Sequence, residues 1–341
     1  MEIIVPAAGL STRFPNMRPK YSLVDYSGNL MLKSALIPYI GNYKINVGIL
    51  KEHEERYSII SLLKHEFKKD INIIVLDKPT KGPADTVYQI IKKTKSKFNK
   101  GFLIKDCDSF FNHKILDENY ICISKFSDNE FIKNPASKSY ILTNEEGIIQ
   151  NIAEKKVISD KFCVGGYRFK TLQTYIKGFD IIKNNNQEMF VSNIIQYCLA
   201  NKNIFVENYV SEYTDVGTAE EWFKYNDKSV IFCDIDGTII KAQSRSDYAS
   251  SAIPLKENLA LIQKLKTQGN QIIFVTSRPE IARKETEKML NKFGFNNCIL
   301  IMGLLNCKRI LINDFNSANP FPRASSINIM RDDDTLKYYL K

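Results

Sequence analysis

Residues 230–240 read VIFCDIDGTII, and this stretch decides the fold of the C-terminal part of the chain. An apolar run ends at Asp234 and Asp236, and the spacing of two residues puts both carboxylates on one side of a strand. Gly237 and Thr238 then turn the chain. Three more apolar runs follow, and together they predict a parallel α/β sheet: NQIIFVTS at 270–277, NCILIMG at 297–303 and RILINDF at 309–315.

The first half of the chain carries a second series of short apolar runs, with different residues at the strand ends. These runs alternate with helical patterns such as ADTVYQIIKKTKS at 84–96, which indicates another α/β domain. A polar stretch at 225–229 predicts the boundary, giving domains 1–226 and 227–341. The strand candidates are EIIVPA at 2–7, INVGIL at 45–50, INIIVL at 71–76 and GFLIKD at 101–106.

The composition limits the function classes. No run of about 18 apolar residues predicts a membrane helix, and the acid at position 2 is unlike a signal peptide, so we expect a cytoplasmic protein without membrane contact. The seven cysteines stand singly, which disfavours zinc and disulfides. The net charge of +10 is spread along the chain, so it favours phosphorylated ligands over nucleic acid.

The segment PAAGLSTRFPNMRPK at 6–20 has the composition of a phosphate-binding loop. Small residues let backbone N–H groups approach an anion, hydroxyls add donors, and Arg13 offers a planar fork for phosphate oxygens. Lys20 follows seven residues later, within reach of the same phosphates. The candidate nucleotide-binding residues of this loop are Ala8, Gly9, Ser11 and Thr12.

An ordered set of motifs over residues 1–226 resembles the sugar-1-phosphate nucleotidyltransferase family. After the loop come KGPADTV at 81–87, FLIKDCDSFF at 102–111, IAEKK at 152–156, FCVGGYRF at 162–169 and YTDVGTAEEW at 213–222. The resemblance implies a mixed sheet of the GT-A-like kind. It also implies magnesium binding by Asp108 and Asp215, base contact at Gly82, and acceptor binding by Glu154, Lys155 and Gly166.

The resemblance implies that an acceptor phosphate attacks the α-phosphorus of a nucleoside triphosphate and that pyrophosphate leaves. Arg13 would stabilise the pyrophosphate, Lys20 the transferred phosphoryl group, and Lys155 the acceptor phosphate. At about 226 residues the domain resembles the choline-phosphate and other short cytidylyltransferases. This resemblance favours CTP over UTP, dTTP or GTP, and widens the acceptor from sugar phosphates to phosphorylated polyols or amino alcohols. Asp106 either shares the metal ion or is a second solvated acid.

The C-terminal motifs resemble those of the haloacid dehalogenase (HAD) superfamily. DIDGT at 234–238 matches the first motif, which implies that Asp234 attacks phosphorus and that Asp236 is the general acid and base. Thr276 would bind the phosphate and Lys308 would supply the conserved cation. A second magnesium site would be formed by Asp234, Asp236 and Asp314.

These resemblances predict a bifunctional enzyme of surface-polysaccharide precursor synthesis that combines nucleotidyl transfer with phosphatase activity. Two alternatives stay open. In one, the C-terminal domain is a degenerate lid or oligomerisation module, because Asn313 and the position of Lys308 depart from the superfamily pattern. In the other, the phosphatase acts on nucleic-acid ends. A homo-oligomer is compatible with either.

Overall fold

The chain folds into two compact units, Met1–Asn226 and Asp227–Lys341. The computed structural model describes residues 1–128, 135–184, 188–242, 252–313 and 324–340. Both units combine strands with helices, so the predicted α/β fold class is confirmed. Within the described ranges, no helix is long and apolar enough to cross a membrane.

The N-terminal unit is built on one large mixed sheet. Strand β1 pairs in parallel with β2 and β4, whereas β9 runs antiparallel to β4 and β6. The strands of this unit are β1 (Glu2–Pro6), β2 (Lys44–Leu50), β3 (Ile71–Leu76), β4 (Phe102–Lys105), β5 (Ser109–Asn112), β6 (Tyr120–Lys125), β7 (Ser139–Thr143), β8 (Ile149–Glu154), β9 (Lys161–Phe169), β10 (Val206–Tyr209) and β11 (Ser211–Asp215).

The helices of the N-terminal unit are α1 (Met31–Leu36), α2 (Lys51–Tyr57), α3 (Ile59–Phe67), α4 (Pro83–Lys93), α5 (Leu172–Ile182), α6 (Val191–Ala200) and α7 (Ala219–Asn226). They mostly bury apolar residues in its cores, although α2 buries only His53 and α7 buries its tryptophan in a separate small cluster. Helix α4 forms where the sequence predicted one. Its Pro83 suits the first helical turn, and Ala84, Val87 and Ile90 are fully buried at helical spacing.

A small antiparallel pair of strands brings distant parts of the N-terminal unit together. Strand β11 pairs with β5 in a register that puts Asp215 opposite Ser109. The N–H of Val216 donates to the carbonyl of Asp108 at 3.0 Å. The loop after β4 and the turn after β11 are therefore in contact, just beyond the C-terminal end of β4.

The C-terminal unit has a parallel sheet in the order β12 (Val230–Asp234), β13 (Gln271–Val275) and β14 (Ile299–Ile301). Helices α8 (Lys256–Thr267) and α9 (Arg283–Lys292) connect these strands. Ile262 and Leu290, from the two helices, share one buried core with Phe274 of the central strand. This arrangement is the parallel sheet that the sequence predicted.

The other face of this sheet is exposed over the described residues. Its side chains are apolar but accessible to water: Val230 is 54% exposed, Phe232 46%, Ile299 48% and Ile301 39%. They lie on one face because alternate residues of a strand point the same way and Phe232, Ile273 and Ile299 are register partners. The C-terminal sheet therefore has one covered face and one face that is bare along β12 and β14 over the described residues, whereas Val275 of β13 is buried on it.

The expected fourth strand, in RILINDF, is not formed by residues 309–313. Ile310 is 72% exposed and Ile312 is 91% exposed, and the backbone of this stretch joins none of the described sheets. A strand requires a partner for its N–H and C=O groups, and apolar content alone does not supply one. The prediction of a strand here is wrong for these five residues.

The last described segment ties down the turn that follows β12. The N–H of Asp332 donates to the carbonyl of Gly237 at 3.0 Å, and Asp334 accepts hydrogen bonds from the first N–H groups of α8. Gly237 has φ +86°, and a Cβ there would lie 2.9 Å from Cγ of Arg331. Glycine is therefore required both for the turn and for the close approach of the C-terminal segment.

Candidate functional sites

The loop after β1 is organised by Ser11. This residue has φ +53°, and its hydroxyl accepts a hydrogen bond from the N–H of Lys20 at 3.2 Å. Phe14 is buried and anchors the loop, whereas the Arg13 side chain is 58% exposed. The structure thus places the predicted phosphate-binding residues Ala8, Gly9, Ser11 and Thr12 in one loop that delivers Lys20 and Arg13 to the same place.

Two cations of this loop converge on Asp108. Lys20 forms a hydrogen-bonded ion pair with the carboxylate, and Nη2 of Arg13 lies 3.7 Å from it. Burial opposes ionisation of Asp108, but the charges of Lys20, Arg13 and Lys138 outweigh it and hold its pKa well below the usual range. Burial alone would lower the pKa of Lys20, yet Asp108 raises it, so both groups are charged at neutral pH.

Asp215 ends β11 and faces the same place. Its Oδ1 accepts a hydrogen bond from the N–H of Gly217 at 3.0 Å, and its Oδ2 forms an ion pair with Lys138. Lys138 also donates to the hydroxyl of Tyr213 at 3.1 Å. Lys138 lies outside every motif, so no sequence pattern selects it.

Gly217 lies close to the carboxylates of both aspartates. A Cβ at this position would lie 3.0 Å from Oδ2 of Asp108, 3.1 Å from Oδ1 of Asp215 and 3.5 Å from Nη1 of Arg13. A single point in space is therefore close to both carboxylates and to a guanidinium. Any side chain larger than hydrogen would enter this space.

The available side-chain ligands fit a magnesium ion of the kind that phosphate-transferring enzymes bind. Magnesium is commonly held by one or two carboxylates together with water and substrate phosphates. Asp108 and Asp215 provide two carboxylates, both beside Gly217. Within the described residues, no group of three or more His, Cys, Asp or Glu side chains is arranged to hold a metal ion. The remaining ligands would therefore come from substrate and water.

A buried lysine supports the loop that carries Asp106 and Asp108. The Lys105 ammonium donates to the carbonyls of Asp106 at 2.8 Å and Ser109 at 2.5 Å, and it lies 4.3 Å from the centre of the Phe111 ring. Burial lowers the pKa of Lys105 to about 8. These contacts fix the backbone on both sides of Asp108.

Asp106 is packed against the protein, contrary to the expectation of a second solvated acid. A Cβ on Gly165 would lie 2.5 Å from its Oδ2, and its N–H donates to the carbonyl of that glycine at 2.8 Å. Burial, followed by the charge of Asp108, raises the pKa of Asp106 to about 6. Asp106 is therefore the weaker candidate for a metal ligand.

The predicted acceptor-binding residues are only partly brought together. Glu154 accepts hydrogen bonds from the hydroxyls of Ser139 and Ser192, the latter at 2.5 Å. Lys155 has φ +54° and is half exposed, and its ammonium lies 3.6 Å from Glu188. Two hydrogen bonds thus orient Glu154, whereas Lys155 lies at the solvent-exposed rim of the candidate site.

Close packing explains why two of the predicted site residues, Gly82 and Gly166, are glycines. Gly82 has φ +139°, and a Cβ there would meet the carbonyl oxygen of Met189 at 2.6 Å. A Cβ on Gly166 would lie 2.7 Å from Sγ of Cys122. Both positions require glycine before any ligand is considered, so their predicted roles in base and acceptor binding stay predictions.

The second candidate site lies at the end of β12. Nη2 of Arg309 donates to Oδ1 of Asp234 at 3.0 Å, and the hydroxyl of Thr238 donates to Oδ2 at 3.3 Å. Asp234 is partly exposed, as a nucleophile must be. The cation beside the predicted nucleophile is thus Arg309, which sequence reasoning missed in favour of the adjacent lysine.

Asp236 is held by a buried arginine. Nε and Nη2 of Arg278 donate to its two carboxylate oxygens at 2.8 and 2.7 Å, and Nη1 donates to the buried hydroxyl of Thr286 at 3.2 Å. The Arg278 side chain is 1% exposed. Thr276 is also buried, and its hydroxyl accepts a hydrogen bond from the N–H of Arg278 at 3.1 Å. Asp234, Asp236 and Thr276 therefore sit on adjacent strand ends.

The two remaining predicted residues of this site are Lys308 and Asp314, and the described part of the structure shows neither of them in contact with Asp234. Lys308 is exposed and precedes the residues that do not form the predicted strand. Its predicted position depended on that strand, and no described contact links it to Asp234. Asp314 lies outside the described residues, so its predicted role as a magnesium ligand stays a prediction.

The N-terminal unit resembles known nucleotidyltransferases in fold. A nucleoside-diphosphate-sugar pyrophosphorylase from Vibrio cholerae RC9 matches with a TM-score of 0.58 and 17% identity, over 66% of this chain and 100% of that chain. The inositol-1-phosphate CTP transferase from T. maritima matches with a TM-score of 0.51 and 16% identity, over 64% of this chain and 90% of that chain. At these identities the similarity shows the fold.

Residues 228–299 match the family model of the polynucleotide kinase PNKP phosphatase domain. This stretch is a HAD phosphatase domain. It contains β12 and β13, ends at the first residue of β14, and includes Asp234, Asp236 and Thr276. No curated protein sequence is significantly similar to the chain. The chain thus joins a nucleotidyltransferase-like unit to a HAD phosphatase domain, as the two resemblances implied.

Proposed function

We propose that the chain is a bifunctional enzyme that carries out nucleotidyl transfer in one unit and phosphomonoester hydrolysis in the other. In the first reaction a nucleoside monophosphate, CMP from CTP by preference, passes to a phosphorylated sugar, polyol or amino alcohol. In the second, a phosphate ester is cleaved through an aspartyl-phosphate. The products fit the supply of precursors for a surface polysaccharide.

The observation that carries the transferase proposal is the convergence of opposite charges around Gly217. The carboxylates of Asp108 and Asp215 both lie beside Gly217, Arg13 and Lys20 pair with Asp108, and Lys138 pairs with Asp215. Both substrates are anions, so the main task of the protein is to position them and to offset their charge. A magnesium ion bound here would supply Lewis-acid polarisation of the phosphate oxygens.

The residues of the chain then have separate tasks. Arg13, exposed in the loop after β1, binds the pyrophosphate as charge builds up on it. Lys20, held by Asp108, binds the phosphoryl group that is transferred. Glu154, oriented by two serine hydroxyls, binds a hydroxyl of the acceptor, and Lys155 at the rim binds its phosphate.

In the phosphatase domain, Asp234 is the proposed nucleophile. An oxygen of its carboxylate attacks phosphorus, the bond from phosphorus to the ester oxygen breaks, and Asp236 donates a proton to the leaving alcohol. Arg309 offsets the negative charge at Asp234, and Thr276 binds a phosphate oxygen. Asp236, fixed by Arg278, activates the water that hydrolyses the aspartyl-phosphate.

The match to a polynucleotide kinase phosphatase domain favours one alternative for this unit, hydrolysis of phosphate at nucleic-acid ends. Salt-dependent binding of oligonucleotides would distinguish it from the hydrolysis of small esters. The other alternative, a degenerate domain without activity, predicts no hydrolysis of either kind of substrate by the full chain.

The transferase proposal is tested by a substrate screen. CTP, UTP, dTTP and GTP are combined with a panel of phosphorylated sugars, polyols and amino alcohols, and pyrophosphate release is measured. We expect release with CTP and one acceptor class. Asp215→Asn should lower it by about 10² or more, because a charge that positions the metal ion is lost. Unchanged transfer in that variant would contradict the assignment of the site.

A further inference from the structure

Lys138 is a cation of the transferase site that none of the sequence motifs contains. It precedes β7, and its side chain is 16% exposed. The ammonium forms an ion pair with Asp215 and donates to the hydroxyl of Tyr213 at 3.1 Å. Lys138 thus contacts the carboxylate that the proposed function assigns to a metal ion.

The contacts of Asp215 leave little room for another cation. Oδ1 accepts a hydrogen bond from the N–H of Gly217 at 3.0 Å, and Oδ2 is taken by the Lys138 ammonium. The N–H of glycine carries no net charge and can remain when a metal ion binds. The Lys138 ammonium, by contrast, carries a full positive charge and faces Oδ2 of Asp215. A divalent cation must therefore compete with Lys138 for Oδ2 of Asp215.

The backbone of Lys138 is fixed, so only its side chain would need to move. Its carbonyl accepts a hydrogen bond from the N–H of Lys155 at 3.0 Å, and the hydroxyl of the next residue, Ser139, donates to Glu154. Lysine combines a compact charge with a flexible four-carbon stem. A small change of side-chain torsion can therefore carry the ammonium away from Asp215 without disturbing the acceptor-binding strand.

We propose that Lys138 is an internal counter-ion of Asp215 that a divalent cation displaces, and that the displaced ammonium binds a phosphate oxygen of the nucleotide. Repulsion between the two cations drives the ammonium from the metal ion. Phosphate oxygens of a nucleotide bound beside Asp215 would give the displaced ammonium a new anionic partner, in addition to the nearby charges of Asp108 and Glu221. The proposal rests on the transferase function, because it assigns Asp215 to the metal ion.

The proposal predicts opposite effects of one substitution on two ligands. Lys138→Met removes the competing charge, so Mn²⁺ alone should bind the protein more tightly, by about five-fold, which is the worth of a partly exposed ion pair. The same variant should bind the Mn²⁺ complex of a nucleoside triphosphate about tenfold more weakly, since a charge-assisted hydrogen bond is lost. Both affinities are measured without acceptor, Mn²⁺ by electron paramagnetic resonance and nucleotides by calorimetry.

Matched controls are available in the same unit. Lys161 pairs with Glu207 at 2.7 Å, and the two side chains are 19% and 15% exposed, against 16% and 22% for Lys138 and Asp215. Lys161→Met should leave both affinities unchanged. Lys138→Arg keeps the charge and should restore most of the nucleotide affinity. CTP, UTP, dTTP and GTP are all tested, so that the choice of base does not decide the result.

The outcomes separate this proposal from the function on which it rests. If Lys138→Met weakens Mn²⁺ binding, Lys138 orients Asp215 for the metal ion, and the counter-ion proposal is wrong. If Mn²⁺ binding is unchanged although Asp215→Asn loses it, the proposal fails and the metal site stands. If Asp215→Asn binds Mn²⁺ like the wild type, or no triphosphate binds the wild type, the transferase site itself is wrongly assigned, and the proposal falls with it.

Discussion

Arg309 and Lys308 are neighbours in the chain, but only Arg309 reaches Asp234. The guanidinium donates to Oδ1 of the aspartate at 3.0 Å, across a separation of 75 residues. A positive charge at that oxygen lowers the energy of the negative charge that accumulates when phosphate approaches. At the scale of single residues, the phosphatase site therefore depends on a cation that the motif pattern did not select.

Substitution of the two cations tests this choice. Arg309→Met should lower kcat/KM for a phosphate monoester by about 10- to 100-fold, because the charge beside the nucleophile is lost. Lys308→Met should change kcat/KM by less than two-fold, because no described contact links Lys308 to Asp234. Steady-state hydrolysis of 4-nitrophenyl phosphate measures both. A larger loss in the Lys308 variant would restore the sequence-based assignment.

The residues that sequence reasoning located share one property. Arg13, Lys20, Asp108 and Asp215 stand in short motifs that begin at or near the ends of strands, so local pattern and strand ends suffice to find them. Lys138 and Arg309 meet their aspartates only through tertiary structure, from 77 and 75 residues away. No short window of sequence contains that information.

The same distinction applies to whole elements. Helix α4 and the strands β1, β2, β3 and β4 have the apolar periodicity of their class and formed as expected. Residues 310–312 are as apolar as those strands, yet they remain exposed and unpaired with any described strand. Apolar pattern predicts that a segment can pair, whereas the available edges decide whether it does.

A histidine between β5 and β6 makes the stability of the N-terminal unit depend on pH. Nδ1 of His113 lies 3.2 Å from the hydroxyl of Tyr39, and Nε2 lies 3.0 Å from that of Tyr120. Burial, with a smaller contribution from the charge of Lys105, lowers the pKa of His113 to about 4. Between that value and the pKa of an unfolded histidine, the unfolded chain binds more protons, so stability falls as pH falls.

His113→Gln should remove this dependence. The difference between wild type and variant in the free energy of unfolding is expected to shrink by up to about 3 kcal/mol as the pH falls from 7 to 4. Urea unfolding followed by fluorescence of Trp222, the single tryptophan, reports on the N-terminal unit. His65→Gln, an exposed position on α3, is the control. A difference independent of pH would contradict the assigned cause.

At the scale of the whole molecule, the two proposed activities have separate residues. Asp108 and Asp215 belong to the unit Met1–Asn226, and Asp234 and Asp236 belong to the unit Asp227–Lys341. Their supporting cations are also separate, since Lys20 and Lys138 serve the first pair and Arg309 and Arg278 the second. Chemistry in one unit therefore does not require a side chain of the other.

This separation predicts independent loss of function. Asp234→Asn should abolish hydrolysis, because the nucleophile is removed, while nucleotidyl transfer changes by less than about two-fold. Asp215→Asn should do the reverse. Both activities are measured on the same preparations of each variant. Parallel loss of both in a folded variant would mean that one site serves both reactions.

The bare face of the C-terminal sheet has a consequence for heat capacity. Unfolding raises the heat capacity mainly because apolar groups become hydrated. Val230, Phe232, Ile299 and Ile301 are already about half exposed to water in the folded chain, so they add less to that increase than buried residues would. The C-terminal unit should therefore have a flatter dependence of stability on temperature than a unit of its size whose sheet is covered on both faces.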